Sequence, residues 1–344
     1  MKRMSTVLTL VAVGVLLTAS TPPAGEAVSA GVAGRTALLS SAPRHLRSAS
    51  WWGGTYVVAD GQRVELHIST RYTQSDALLN QWLGFFAGLP HGQELSLVKV
   101  YVAPLDEVGE MCFSDEVIGC YGRQTIVTVG DAAAGVSPTS VAAHEYGHHI
   151  AANRDNAPWR AIDWGTKRWA SQMGICSRVG AGTAYPGDEG VNYALNPGEG
   201  FAEAYRVLHE TNGTALGFEW PIVDSSFRPD VRALAAIRAD VLEPWSGPMT
   251  KTISGKFLRH SRTWTTQVAT PLDGELRLRL TAPGGGVNDV TLLTGDGRTV
   301  LATGSWDSSG GKSVRYRVCG ARSVKVRVNR GGATARFTLR VTVP

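Results

Sequence analysis

Three side chains within five residues, His144, Glu145 and His148, have the types and spacing to do chemistry together. A separation of four puts the two imidazoles on one helix face, one turn apart. Two neutral nitrogens placed that way can reach one zinc ion. Glu145 projects beside the pair, where a carboxylate can take a proton from a metal-activated water and deliver it to a leaving amine. The motif is H-E-x-x-H, and it needs a helix to present it. Ser137 to Asn153 supplies one: Ser137 can cap the first free N–H groups, and Pro138 sits at the first helical position, where a missing N–H costs nothing. Val141, Ala142, Ala143 and Ile150 are its apolar filling. His149 points about 100° away around the helix and is expected to be structural or surface rather than a ligand.

Two histidines leave zinc short of a catalytic site, which takes a third protein ligand and keeps one open position. The segment Asn196 to Arg206 (N-P-G-E-G-F-A-E-A-Y-R) is the best source. Asn196 is a cap, Pro197 takes the first helical position, and Glu199 and Glu203 share a face four residues apart. Glu199 is expected to bind the metal, and Glu203 to orient a ligating histidine from behind it. The bland alternative has Glu199 turning back onto the helix start and Glu203 pairing with Arg206 on the surface. Asp188 and Glu189 come next as ligands, but Gly180 to Gly190 reads as a loop, a poorer mount than a helix.

Further signals place these helices in a larger plan. Met1 to about Ala27 carries Lys2 and Arg3, then an uncharged run from Val7 to Leu17, then small residues and prolines. It reads as a secretory signal peptide (1–27), because the run is far shorter than the roughly 20 residues that cross a bilayer. Residues 28–50 are rich in Ala, Ser, Gly and Arg and read as a short pro-segment or a loose N-terminus. The formal net charge of +5 over 344 residues is small, and no Lys/Arg block interleaves with aromatics. Nucleic-acid binding therefore gets no support, and no membrane span is expected. The four cysteines are an even number in a chain read as secreted, which suggests two disulfides. Cys112 and Cys120 flank a short loop and are the preferred pair. Cys176 and Cys319 are then left for each other, although four cysteines admit three pairings. No C-x-x-C occurs to suggest a cysteine zinc site.

Residues 51–246 read as a metallopeptidase-like α+β domain. Val64–Ser69 and Leu97–Val102 alternate as strands, Asp76–Leu89 has helical spacing, and Thr125–Val129 is a short strand just ahead of the organising helix. That strand is a candidate edge for an extended peptide, or an ordinary sheet member. Trp159 to Met173 has helical spacing, with tryptophans that read as core. Residues 247–344 change to short alternating runs separated by glycine turns: Glu275–Thr281, Asp289–Leu293, Thr299–Ala302, Val314–Val318, Ser323–Val328 and Ala335–Val343. Several short strands at this spacing imply an all-β sandwich.

H-E-Y-G-H followed by E-G-F-A-E-A-Y resembles the gluzincin metallopeptidases, in which a glutamate on a later helix completes a two-histidine zinc site. The later segment is also similar to the corresponding helix of the anthrax lethal factor catalytic domain. That resemblance implies a zincin-like catalytic domain, zinc on His144, His148 and Glu199, Glu145 as general base and Glu203 behind a ligating histidine. It further implies an oxyanion-stabilising tyrosine shortly before the ligand glutamate, and Tyr193 lies one residue closer than in that relative. The metzincin continuation is excluded, since Ala151 and Arg154 stand where a glycine and a third histidine would be needed. The C-terminal strands resemble the bacterial pre-peptidase C-terminal domain over most of 254–344.

The expectation is an α+β zincin-like catalytic domain followed by an all-β sandwich, forming a secreted zinc metallopeptidase that acts on a polypeptide. Its sandwich is a candidate for contact with a cell surface or polymer. Two rivals stand beside it: a secreted surface- or polymer-binding protein with a structural or degenerate zinc site, and a metal hydrolase acting on a cell-wall amide.

Overall fold

The computed structural model describes residues 35–46, 50–283, 288–320, 322–332 and 336–344. The expected signal peptide (1–27), and residues 28–34 and 47–49 of the expected loose N-terminus, lie outside them. The architecture is mixed α+β with several sheets. In chain order the first part runs β1 (Arg35–Leu38), β2 (Trp51–Val57), β3 (Arg63–Ser69), α1 (Asp76–Gly88), β4 (Lys99–Ala103), α2 (Leu105–Cys112), β5 (Val117–Gly122), β6 (Thr125–Val129) and α3 (Pro138–Ala152). A small hairpin, β7 (Asp155–Asn156) and β8 (Trp159–Arg160), precedes α4 (Ala161–Trp164), α5 (Lys167–Gln172), α6 (Ile175–Gly180), α7 (Pro197–Glu210) and α8 (Val231–Leu242).

Among the described residues these strands make a six-stranded sheet ordered β1-β5-β6-β4-β3-β2. Strands β3, β4 and β6 run parallel, β5 is antiparallel to β6, and β1 is parallel to β5. The alternation that announced β3 is realised: Val64, Leu66 and Ile68 are buried and join Trp82 and Phe86 of α1 and Tyr146 of α3 in the main core. The opposite face carries Tyr101, Val127 and Val129 onto Val108 and Met111 of α2. Strand β6 has the expected bounds but is interior, between β5 and β4, so the expectation that it offers an edge is corrected. The edge there belongs to β1. The helix expected over 159–173 is also corrected: Gly165, at φ 77°, breaks it, leaving Trp159 in β8 stacked on Trp164 at 4.5 Å. Trp169 alone of the three is core.

The last part forms two sheets, from β9 (Met249–Lys256), β10 (Thr263–Ala269), β11 (Gly274–Thr281), β12 (Asp289–Thr294), β13 (Val300–Thr303), β14 (Ser305–Trp306), β15 (Lys312–Val318), β16 (Ser323–Asn329) and β17 (Arg336–Val343). Their orders are β10-β16-β12-β13 and β14-β15-β11-β17-β9. Inward residues of both sheets, such as Leu278, Leu292, Val326 and Leu339, share one apolar core, as a sandwich requires. Both disulfides are present, Cys112–Cys120 and Cys176–Cys319, and such bonds belong to an oxidising compartment. Cys120 lies within β5, so the first bond ties α2 to that strand rather than closing a free loop. Among the described residues no helix is long and apolar enough to cross a membrane.

What positions the site is the crossing of α3 and α7. Each begins as its cap predicted: Ser137 Oγ accepts from Ser140 N, and Asn196 accepts from Gly198 N. The helices approach so closely that a Cβ at Gly147 would stand 2.7 Å from Ala202 Cα. Alanine favours an isolated helix over glycine by roughly 0.5–1 kcal/mol, whereas overpacking costs about 1–3 kcal/mol. Gly147→Ala is therefore expected to destabilise the protein and lower its thermal midpoint; a raised midpoint would show that the helices can part freely.

Candidate metal centre

His144 and His148 leave α3 on one face, with ring centroids 5.0 Å apart. Glu199 arrives in the first turn of α7. His144 Nε2 is 3.1 Å from Glu199 Oε2, and His148 Nε2 is 3.1 Å from Glu199 Oε1. One donor atom from each of the three lies within 4.8 Å of the others, and all three residues are buried, so the group could hold a metal ion. Asp188 and Glu189 are not part of it. Asp188 caps its own loop by accepting from Gly190 N, and Glu189 accepts from Asn196 Nδ2 at 2.7 Å.

Glu203 serves both roles that were weighed for it. Its Oε2 lies 3.1 Å from His144 Nδ1, and its carboxylate also accepts from Arg206 Nε at 3.0 Å and Nη2 at 2.8 Å. Because a carboxylate can only accept, Nδ1 carries the proton and the Nε2 lone pair is directed at the donor group. Arg206 is not on the surface but 5% exposed, and it passes on to Glu210. Glu199 does not turn back onto its helix start; Asn196 alone caps it.

The electrostatics ask for a positive charge. Burial works against an imidazolium at His144, yet Glu199 and Glu203 outweigh it and hold that ring up to about 10. Burial keeps His148 below its ordinary value. Burial would also raise the Glu199 carboxyl, but the two imidazoles hold it well below the usual carboxylate range. A cation among these donors would take the place of the proton that His144 otherwise retains. The unpaired atoms point the same way. Both nitrogens of His148, Oε1 of Glu199 and both oxygens of Glu145 are buried without a hydrogen-bond partner. An orphaned buried polar group costs about 1–3 kcal/mol; Nδ1 of His148 faces away across its ring, and the other four atoms fit a bound ion and its water.

Glu145 is fully buried, and burial raises its carboxyl well above the ordinary range, with Glu199 and Glu189 adding to the effect and His144 opposing it. Room for it comes from β5, where a Cβ at Gly119 would meet Glu145 Oε1 at 2.9 Å. Tyr193, in the short 3-10 turn before α7, donates from its hydroxyl to Glu199 Oε2 at 2.8 Å. One member went unforeseen. Thr36 of β1 is buried, and its Oγ1 stands 2.8 Å from Tyr193 Oη, 3.1 Å from His144 Nε2 and 3.3 Å from Glu199 Oε2. Nothing local in R-T-A-L marks it, since its place depends on pairing with β5 far along the chain.

His149 is buried and structural rather than exposed. Its Nε2 donates to the Glu94 carbonyl at 2.8 Å, and burial pushes the ring down to about 4.

Glu199→Ala is expected to lose the metal outright, while Glu203→Gln weakens affinity about 10–100-fold by loosening His144. Elemental analysis with chelator competition reads both, and retention of full affinity by Glu199→Ala would place the third ligand elsewhere. For His149 the sign follows from its lowered value: the unfolded chain takes up a proton near 6.5, the native one only near 4. Its contribution is thus present above about pH 6.5 and lost as pH falls toward 4, on the order of 3 kcal/mol at most. Denaturant midpoints measured across that window should fall less steeply for His149→Gln than for wild type.

No family model matches this chain, and no curated protein matches it. Among solved structures the chain is similar to the pre-peptidase C-terminal domain of a collagenase from Bacillus anthracis, at 14% identity over 27% of this chain and 87% of that one, with a TM-score of 0.22.

Proposed function

We propose that this chain is a secreted zinc metallopeptidase of gluzincin type, with a zincin-like catalytic domain that hydrolyses peptide bonds in polypeptides. The observation that carries the reading is the Glu145 carboxylate, buried and without a hydrogen-bond partner, on the same helical turn as two imidazoles that converge with Glu199. A structural metal site has no use for such a base. Two imidazoles and one carboxylate with a position left over suit zinc in its catalytic form. Zinc bound there supplies a Lewis acid that polarises a carbonyl and acidifies an attacking water.

The chain's own residues do the rest. Glu145, its affinity for a proton raised by burial, accepts the proton of the attacking water and returns it to the departing amine. Glu203, held by Arg206, keeps the His144 ring oriented. The Tyr193 hydroxyl is the donor beside the metal group that can follow the charge growing on the carbonyl oxygen.

Glu145→Gln keeps the shape of the side chain and removes its basicity. Zinc content is expected to stay at the wild-type level, while hydrolysis of unfolded casein falls by about 10²–10⁴-fold or more. A Glu145→Gln protein as active as wild type would sink the mechanism. Zinc-loaded wild type that cuts a cell-wall preparation but not casein would move the reading to a different amide.

A further inference from the structure

Strand β1 behaves unlike the rest of its sheet. Among the described residues it is four residues long, pairs with β5 alone, and directs inward the Thr36 hydroxyl, set among His144, Tyr193 and Glu199. Ala37 and Leu39 pack on the core under α2 and Leu38 on the main core, while Arg35 and the Leu38 backbone reach Tyr193 and the Glu189 loop beside the site. The Arg35 guanidinium lies over the Tyr193 ring at 4.4 Å and donates to the Glu189 carbonyl, and Leu38 N lies 3.4 Å from Glu189 Oε2. Without β1, β5 would present a free backbone edge beside the donor group, a template on which an extended peptide adds as a strand. Beside Leu38, Leu39 and Ser40 lies a cavity of about 620 Å³ that Tyr121, Asn156 and Glu189 also line.

Resting on the peptidase reading above, we propose that Arg35–Leu38 is an intramolecular inhibitor seated in the substrate groove, and that the enzyme is latent until the chain is cut just after it. Thr36 then occupies the place of the group to be attacked, and β1 occupies the strand position of the substrate. The following residues suit a cut. Ser40, Ser41 and Ala42 are exposed, and the chain is anchored again at Arg44, whose N–H donates to the Met111 carbonyl, and at the buried Leu46. Hydrolysis of one peptide bond there by a second extracellular endopeptidase gives an acid and an amine, with one water consumed. No cysteine precedes the cut, since the bonds join Cys112 to Cys120 and Cys176 to Cys319, so nothing covalent retains the released piece. The tether alone holds β1 at an effective concentration of about millimolar, and the cut turns that into ordinary dilution.

The test inserts a site-specific protease recognition sequence between Ser41 and Ala42 of the full chain. The zinc-loaded protein is compared before and after nicking and gel filtration. Hydrolysis of a quenched fluorescent peptide should rise on the order of 100-fold on nicking, and excess synthetic peptide of residues 35–41 should suppress it again. Measurable hydrolysis that is equal before and after the cut overturns the latch. Binding of the labelled 35–41 peptide to the Glu145→Gln chain separates the two claims. Binding after nicking but not before, with no hydrolysis by either wild-type form, would retain the latch and discard the peptidase. Absence of binding after nicking discards the latch. Should the nicked chain lose its near-ultraviolet circular dichroism, uncut Ala37→Pro takes its place. Leu39 N donates to Tyr121 O, so by the alternation of a parallel ladder Ala37 also donates to β5, and proline removes that donor. This variant should bind the labelled peptide uncut, and failure to do so counts against the latch.

Discussion

The constraint on which the rest depends is that His144, His148, Glu199 and Glu203 all sit at 0% exposure between two helices. Taking a charge out of water costs several kcal/mol unless partners replace the lost solvation. The protein meets this with a chain of alternating sign: Arg206 binds Glu203, Glu203 holds His144, and His144 faces Glu199. Every link comes from α3 or α7. The chain closes at the far end through Glu210, which binds Arg206 and also accepts from Ser140 Oγ at the start of α3. The same polar network that neutralises the site therefore fastens the two helices to each other in antiparallel register. Carboxylates outnumber fixed cations along it, which is why a metal ion suits it.

Precision in that crossing is supplied from outside by packing and by a second network. Gly147 against Ala202 sets how near the helices come, and Tyr146, Phe86 and Tyr205 wedge the side of α3 that faces away from the ligands. Glu94 gathers the end of α3: its carbonyl accepts from His149 and its carboxylate binds Arg154 at 2.9 Å. Arg154 then donates to the carbonyls of Asp240 and Val241 at the end of α8. The sandwich is joined to the helical region by a comparable knot. Asp273, buried, receives Arg322 and Gly320 N, its own N–H reaches Ser171 of α5, and Cys176–Cys319 closes the same seam. Buried charge thus does similar work at three places, each time tying segments distant in sequence.

What was legible in the sequence was what is local. Caps, helical spacing and short-range alternation belong to a few consecutive residues, so α3, α7, β3 and most sandwich strands could be read from Ser137, Asn196 or Leu276-Arg277-Leu278. The two glutamates on α7 were legible for the same reason, since a spacing of four fixes their common face whatever they touch. Non-local features were not legible. Strand β5, V-I-G-C-Y-G, shows no alternation because both of its faces are covered, and its glycines read as a loop. Strand β1 has no pattern at all, since R-T-A-L is ordered by what it lies against. The segment 159–173 misled because tryptophans at helical spacing do not reveal that Gly165 lies between two short helices.

Strand β5 shows how much of the site is decided at that unread edge. All six of its residues are buried, although it would be the outermost strand of the sheet if β1 were absent. Two of the six are glycines, and each makes room on a different side. The missing Cβ at Gly119 admits the Glu145 carboxylate from α3, while one at Gly122 would meet the Ser41 carbonyl at 2.2 Å as the chain leaves β1. A strand meant only to fill a sheet gains nothing from glycine, which weakens it through backbone entropy. A strand that must take a buried carboxylate on one side and a closely laid backbone on the other has reason to carry both. The composition that hid β5 from a reading by pattern is therefore the composition its position beside the donor group demands.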